Sequence, residues 1–109
     1  MAGVYYNITG STGVDVELLA PGDGMDNISS IMLTNIHDTA DATVSLFFQN
    51  NPIEATATTI YIIHTVAIPS DTSLLLDNEA LLSFDNSASG FGLYITVGSS
   101  DTVDILINT

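Results

Sequence analysis

His37 and His64 are the only imidazoles in this chain, and 13 carboxylates are its only charged side chains. An imidazole beside a carboxylate can serve as a general base when a hydroxyl nucleophile lies within reach. His37 is followed by Asp38, but no Gly-x-Ser-x-Gly turn presents a serine to it. It reads as a surface or interface histidine where a strand meets a turn. His64 stands in Tyr61-Ile-Ile-His-Thr-Val66, in phase with Ile60, Ile62 and Val66, which predicts a partly buried, hydrogen-bonded ring. Asp23-Gly-Met-Asp26-Asn27 and Asp77-Asn-Glu79 offer the oxygen ligands that hard cations take. Neither has the alternating spacing by which an EF-hand loop converges on one ion. The expectation is no catalytic residue, no metal and no cofactor.

The acids have no cationic counterpart. Lysine and arginine are absent, and the formal charge is −13. The chain has no guanidinium fork or ammonium with which to hold a phosphate or carboxylate. Binding to nucleic acid and to anionic lipid begins with Lys or Arg neutralising phosphate, so neither is an expected partner. No phosphate-cradling Gly-rich loop is present, and the lysine that a P-loop needs is missing from the whole chain. Acidity here does not mean disorder, because only 12% of residues are charged while 46% are hydrophobic. With no cysteine there is no disulfide or thiolate site. The N-terminus shows neither the basic nor the apolar region of a secretory signal, and no apolar run is long enough for a membrane helix.

The elements that carry these side chains follow a period of two. Val14, Val16 and Leu18 alternate with Asp15 and Glu17; Ile31 and Leu33 with Met32 and Thr34; Val44, Leu46 and Phe48 with Thr43, Ser45 and Phe47. Leu93, Ile95 and Val97 oppose Tyr94 and Thr96, and Val103, Ile105 and Ile107 oppose Asp104 and Asn108. Such alternation belongs to half-buried strands. Turn residues interrupt the runs at Pro21-Gly-Asp-Gly24, Asp38-Thr-Ala-Asp41, Asn50-Asn-Pro52, Pro69-Ser-Asp71, Asp77-Asn78, Asp85-Asn-Ser-Ala-Ser-Gly90 and Gly98-Ser-Ser-Asp101. About eight or nine short strands with no helix predict one antiparallel β-sandwich, jelly-roll-like, in an all-β domain. The stretch 77–84 reads as a strand, with a helical turn as its competitor. Residues 1–13 form an N-terminal arm or first edge strand, and residues 14–109 the sandwich.

The aromatic pairs Tyr5-Tyr6 and Phe47-Phe48 must split between opposite faces of a strand. Tyr61-Ile62-Ile63 and Leu74-Leu75-Leu76 likewise put apolar groups on both faces. A sandwich of this size fills one inner layer, so apolar groups on outer faces point to coverage by other subunits. Tyr5, Tyr6, Phe47, Tyr61 and Ile63 are the candidate contacts.

The strand patterns Ile31-Met-Leu-Thr-Asn-Ile-His37, Val44-Ser-Leu-Phe-Phe48, Tyr61-Ile-Ile-His-Thr-Val-Ala-Ile-Pro69, Thr72-Ser-Leu-Leu-Leu76, Leu82-Ser-Phe-Asp85 and Val103-Asp-Ile-Leu-Ile107 together resemble the short all-β virion proteins of tailed phages, those of cyanobacterial and other marine phages in particular. The resemblance runs over residues 28–109 and rests on strand patterns. It implies a non-enzymatic structural part of a virus particle, made in the host cytoplasm. The foremost form is a capsid decoration (cement) protein on the outer capsid surface, a homo-oligomer with a trimer favoured, whose partner is the major capsid protein or another virion protein. The alternative is a receptor- or glycan-binding knob, or a tail, neck or baseplate component, using loops 38–41 and 85–90.

Overall fold

The computed structural model describes residues 3–11, 14–37, 39–50 and 58–109. Met1, Ala2, Thr12 and Gly13 of the N-terminal segment, Asp38 of its turn, and Asn51 and Pro52 of theirs lie outside these. The described residues form eight strands and one helical turn: β1 (Gly3–Thr9), β2 (Asp15–Leu19), β3 (Ser30–Asn35), β4 (Ala42–Gln49), β5 (Thr59–Ile68), β6 (Ser73–Leu76), α1 (Glu79–Leu82), β7 (Gly92–Val97) and β8 (Thr102–Asn108).

Pairing is nested. β4 pairs β5, β3 pairs β6, β2 pairs β7 and β1 pairs β8, all antiparallel, as in one long ribbon doubled back between β4 and β5. Wrapping that ribbon brings β8 against β3 and β7 against β4. The result is two four-stranded antiparallel sheets, β1-β8-β3-β6 and β2-β7-β4-β5. This is the jelly-roll order, and the sandwich predicted from the alternation is present. Residues 3–9 are an edge strand, paired along their full length with β8.

The predicted inner phases meet between the sheets. Ile31, Leu33, Val103, Ile105 and Ile107 of the first sheet face Val44, Leu46, Leu93, Ile95 and Val97 of the second, all at most 2% exposed. Ile28, Leu82 and Phe84 close one end, with Phe84 stacked on Phe48 at 4.4 Å.

Two expectations are corrected. Within 77–84, residues Glu79–Leu82 make a single helical turn after Asn78 instead of a strand. The turn lets Leu82 drop into the core while its neighbour Leu81 points to solvent. His64 is exposed, not partly buried. Its predicted phase assumed unbroken alternation, but β5 carries two irregularities against β4. Leu46 opposes Ile63 while Phe47 opposes Tyr61, and Val44 opposes Val66, so Ser45 faces both His64 and Thr65. The second bulge places Thr65 at φ 54°, a costly conformation for a β-branched residue. Its N–H is held by donation to Ser45 Oγ at 2.8 Å.

Two buried asparagines tie the loops at opposite ends. Asn35 Nδ2 donates to Ala40 O at 2.8 Å and Ile68 O at 2.9 Å, and its Oδ1 accepts from His37 N. Asn86 Nδ2 donates to Ala20 O and Phe91 O, both at 2.9 Å, and its Oδ1 accepts from Met25 N at 2.8 Å.

Candidate interaction surfaces

The outer face of each sheet carries one row of large side chains set square across its strands. On the first sheet Tyr5 pairs Leu106, Leu106 pairs Met32 and Met32 pairs Leu75. Directly opposed residues on one face stand ~4.5–5.5 Å apart at Cβ, so the four form a continuous apolar stripe. Its ends are open, with Tyr5 76% and Leu75 55% exposed. Polar rows border it. Asn7, Asp104, Thr34 and Ser73 lie on one side, where Asn7 Nδ2 donates to Asp104 Oδ1 and the Thr34 and Ser73 hydroxyls share a 2.7 Å bond. Ser30 and Asn108 lie on the other, joined at 3.1 Å. Between β1 and β3, over β8, the surface dips into a groove of about 440 Å³ lined by Tyr5, Asn7, Met32, Asp104 and Leu106 among others.

The second sheet's outer row is Glu17, Tyr94, Phe47 and Tyr61. Here the rings close over one another. Phe47 lies 5.3 Å from Tyr61 and 5.9 Å from Tyr94, and it is only 2% exposed although it is on an outer face. The His64 ring meets Tyr61 edge-on at 4.4 Å. Tyr94 Oη donates to Glu17 Oε2 at 3.1 Å. Burial, then the hydrogen bond to Glu17 and its negative charge, push the Tyr94 phenol up to about 12 from 10.0.

That shift sets an alkaline limit. The folded protein holds the Tyr94 proton more tightly than the unfolded chain does. The resulting stability is fully present below the unfolded pKa of 10.0 and is lost as pH rises through about 12. With the phenol partly reached by solvent, the loss is expected to be ~1–2 kcal/mol. Thermal melts of Tyr94→Phe between neutral pH and this alkaline range should therefore fall less steeply than those of the parent. Some slope will remain from Tyr6, whose phenol is also raised, by burial and by Asp23 and Glu17. Parallel curves for variant and parent would refute the assignment.

Of the five candidate contacts, Tyr5 and Tyr61 face solvent. Tyr6 turns inward, where its hydroxyl donates to Leu18 O of the opposite sheet. Phe47 is sealed by its neighbouring rings, and Ile63 packs against the core because the bulge pairs it with Leu46. The sequence reading did not single out Met32, Leu75 and Leu106 as contacts. Each is an apolar residue on the outward phase of its strand, which was visible, but their alignment depends on register.

Among the described residues no three His, Asp or Glu side chains converge on a point that could hold a metal ion. Asp23 instead accepts from Ala20 N at 2.9 Å within its own turn. Loops 39–41 and 85–90 lie at opposite ends of the sandwich, tied by Asn35 and Asn86 respectively. No family model and no curated protein matches this chain.

Proposed function

We propose that this protein is a non-enzymatic structural component of a virus particle, a capsid decoration protein that works as a homo-oligomer. It would dock on the major capsid protein through the outer face of its first sheet. The carrying observation is the Tyr5–Leu106–Met32–Leu75 stripe, an apolar band crossing all four strands between polar rows. An apolar centre with a polar rim is the anatomy of a protein–protein contact. Asp104 stands beside the stripe in a chain without lysine or arginine, so a fitting partner supplies the cation. The jelly-roll order is one that capsid and lectin domains share. The charge of −13 favours a position outside the shell, away from packaged nucleic acid. The resemblance to phage virion proteins agrees with this reading.

Cryo-electron microscopy of the parent particle should show this fold on the outer capsid lattice with the first sheet turned towards the shell. Binding of purified protein to stripped particles should weaken ~100-fold in a Met32→Ser/Leu106→Ser double variant, as expected when two anchors near the centre of a contact are truncated. Saturation of particles at parental concentrations by that variant would reject this face.

A further inference from the structure

Four strands stand at sheet edges, β1 and β6 in the first sheet and β2 and β5 in the second. An edge offers unpaired N–H and C=O groups to any extended chain, and shortness, charge or bulges blunt it. Three of the four are blunted. β6 has only four residues. β2 carries Asp15 and Glu17 and shifts register between Glu17 and Leu19. β5 has two irregularities and the left-handed Thr65. β1 has none of these devices. Its seven residues include no charge and no proline, and its register with β8 runs without a shift.

The outward groups of that edge follow from the ladder. Gly10 N donates to Asp101 O at 2.8 Å, one step beyond the pairing of Thr9 with Thr102. Bonded and non-bonded pairs alternate along an antiparallel ladder. Tyr6 and Ile8 therefore fall on the bonded pairs with β8, and the N–H and C=O of Tyr5, Asn7 and Thr9 turn away from it.

We infer that β1 takes up an extended segment of a partner protein as a fifth, antiparallel strand of the first sheet, and that this segment bears a lysine or arginine two positions from an apolar residue. The rows across the sheet select that chemistry, because an added strand continues them. The position opposite Tyr5 closes the open end of the apolar stripe, where Tyr5 is 76% exposed. The position opposite Asn7, on the same face, continues the row of Asn7 and Asp104. It stands two strand spacings, ~10 Å, from Asp104. A lysine stem laid over Asn7 closes that gap. Asn7 Nδ2 donates to Asp104 Oδ1, so Oδ2 is the oxygen that meets the cation.

The charge that draws such a segment also keeps a second copy away. Asp104 lies one strand in from the edge. After burial, the charges of Asp23 and Glu17 in the neighbouring sheet raise the Tyr6 phenol, which places both acids by this side of the sandwich. A mate would bring the same carboxylates, with no lysine or arginine in either chain to offset them.

The inference rests on docking through the first sheet and names how the partner's chain enters that contact, but its test needs no particle. The probe is the peptide acetyl-Thr-Thr-Lys-Thr-Val-Thr-Thr-amide, which sets lysine opposite Asn7 and valine opposite Tyr5. In hydrogen exchange of the full chain, a tenfold excess of peptide over its dissociation constant should slow the amides of Tyr5, Asn7 and Thr9 by ~10-fold. Tyr6 and Ile8, already bonded to β8, should change less. Glutamate in place of the peptide's lysine should weaken binding at least ~10-fold. Affinity for the lysine peptide should fall as NaCl rises from ~0.05 M to ~0.5 M, because screening weakens attraction between opposite charges. Asp104→Asn, which keeps an oxygen for Asn7 Nδ2, should narrow the gap between the two peptides by about 3-fold. A chain that takes the peptide but ignores capsids leaves the inference standing and removes the docking reading, and a chain that binds capsids but not the peptide does the reverse. Equal binding of the two peptides, slowing without the alternate-residue pattern, or the same slowing caused by protein concentration alone, the mark of a second copy, would each overturn the inference.

Discussion

Removal of residues 1–9 is expected to abolish cooperative folding. β1 pairs with β8 from Gly3 opposite Asn108 to Thr9 opposite Thr102. Its inward side chains Val4, Tyr6 and Ile8 pack on the core, and the Tyr6 hydroxyl reaches Leu18 O in the second sheet, so the strand also fastens one sheet to the other. Burial of three such side chains is worth about 5 kcal/mol, as much as the lower end of the whole stability of a small domain. Truncation would also bare the edge of β8 and the flanks of Val103, Ile105 and Ile107, an invitation to aggregation. Circular dichroism of the truncated chain should show a broad or absent thermal transition. A sharp melt at the parental temperature would mean that the segment behaves as a detachable arm and not as a structural edge strand.

Asn86→Ala should be nearly as damaging, although it removes one small side chain from a loop. Asn86 is 0% exposed and satisfies three backbone groups: Ala20 O, Phe91 O and Met25 N. Ala20 O keeps the bond it accepts from Asp23 N at 3.1 Å, but Phe91 O and Met25 N lose the partner that Asn86 gives them, and each such unsatisfied group costs ~1–3 kcal/mol. The expected loss is about 3–4 kcal/mol, or a fall of roughly 12–20 °C in Tm for a domain of this size. Asn86→Asp preserves the shape but sets a carboxylate oxygen against two carbonyl oxygens, so it should be no better than alanine. A melt within a few degrees of the parent for both variants would show that the loops are held by other contacts. The residues that position this loop pair are ordinary polar letters in a turn-rich stretch. Only their burial distinguishes Asn86 from Asn78 or Asn50.

The two expectations differ in how far they were legible. Alternation announced nearly every strand, since a period of two is a local property of extended backbone and needs no knowledge of the partner. Turn chemistry placed the breaks. The helical turn at Glu79–Leu82 and the two irregularities in β5 were not legible. A four-residue stretch carries no resolvable period, and a bulge is decided by the strand opposite it. Phe47 and Tyr5 show the same division. Both were candidate contacts, yet Phe47 is closed over by Tyr94 and Tyr61 while Tyr5 stands open. Residue order alone was enough for an acidic two-layer β protein with apolar groups to spare on its outer faces. Which of those groups line up into a stripe, which are sealed and which edge is left bare was decided by the tertiary structure. Register joins residues as distant as Gly3 and Asn108, and no local pattern records that pairing.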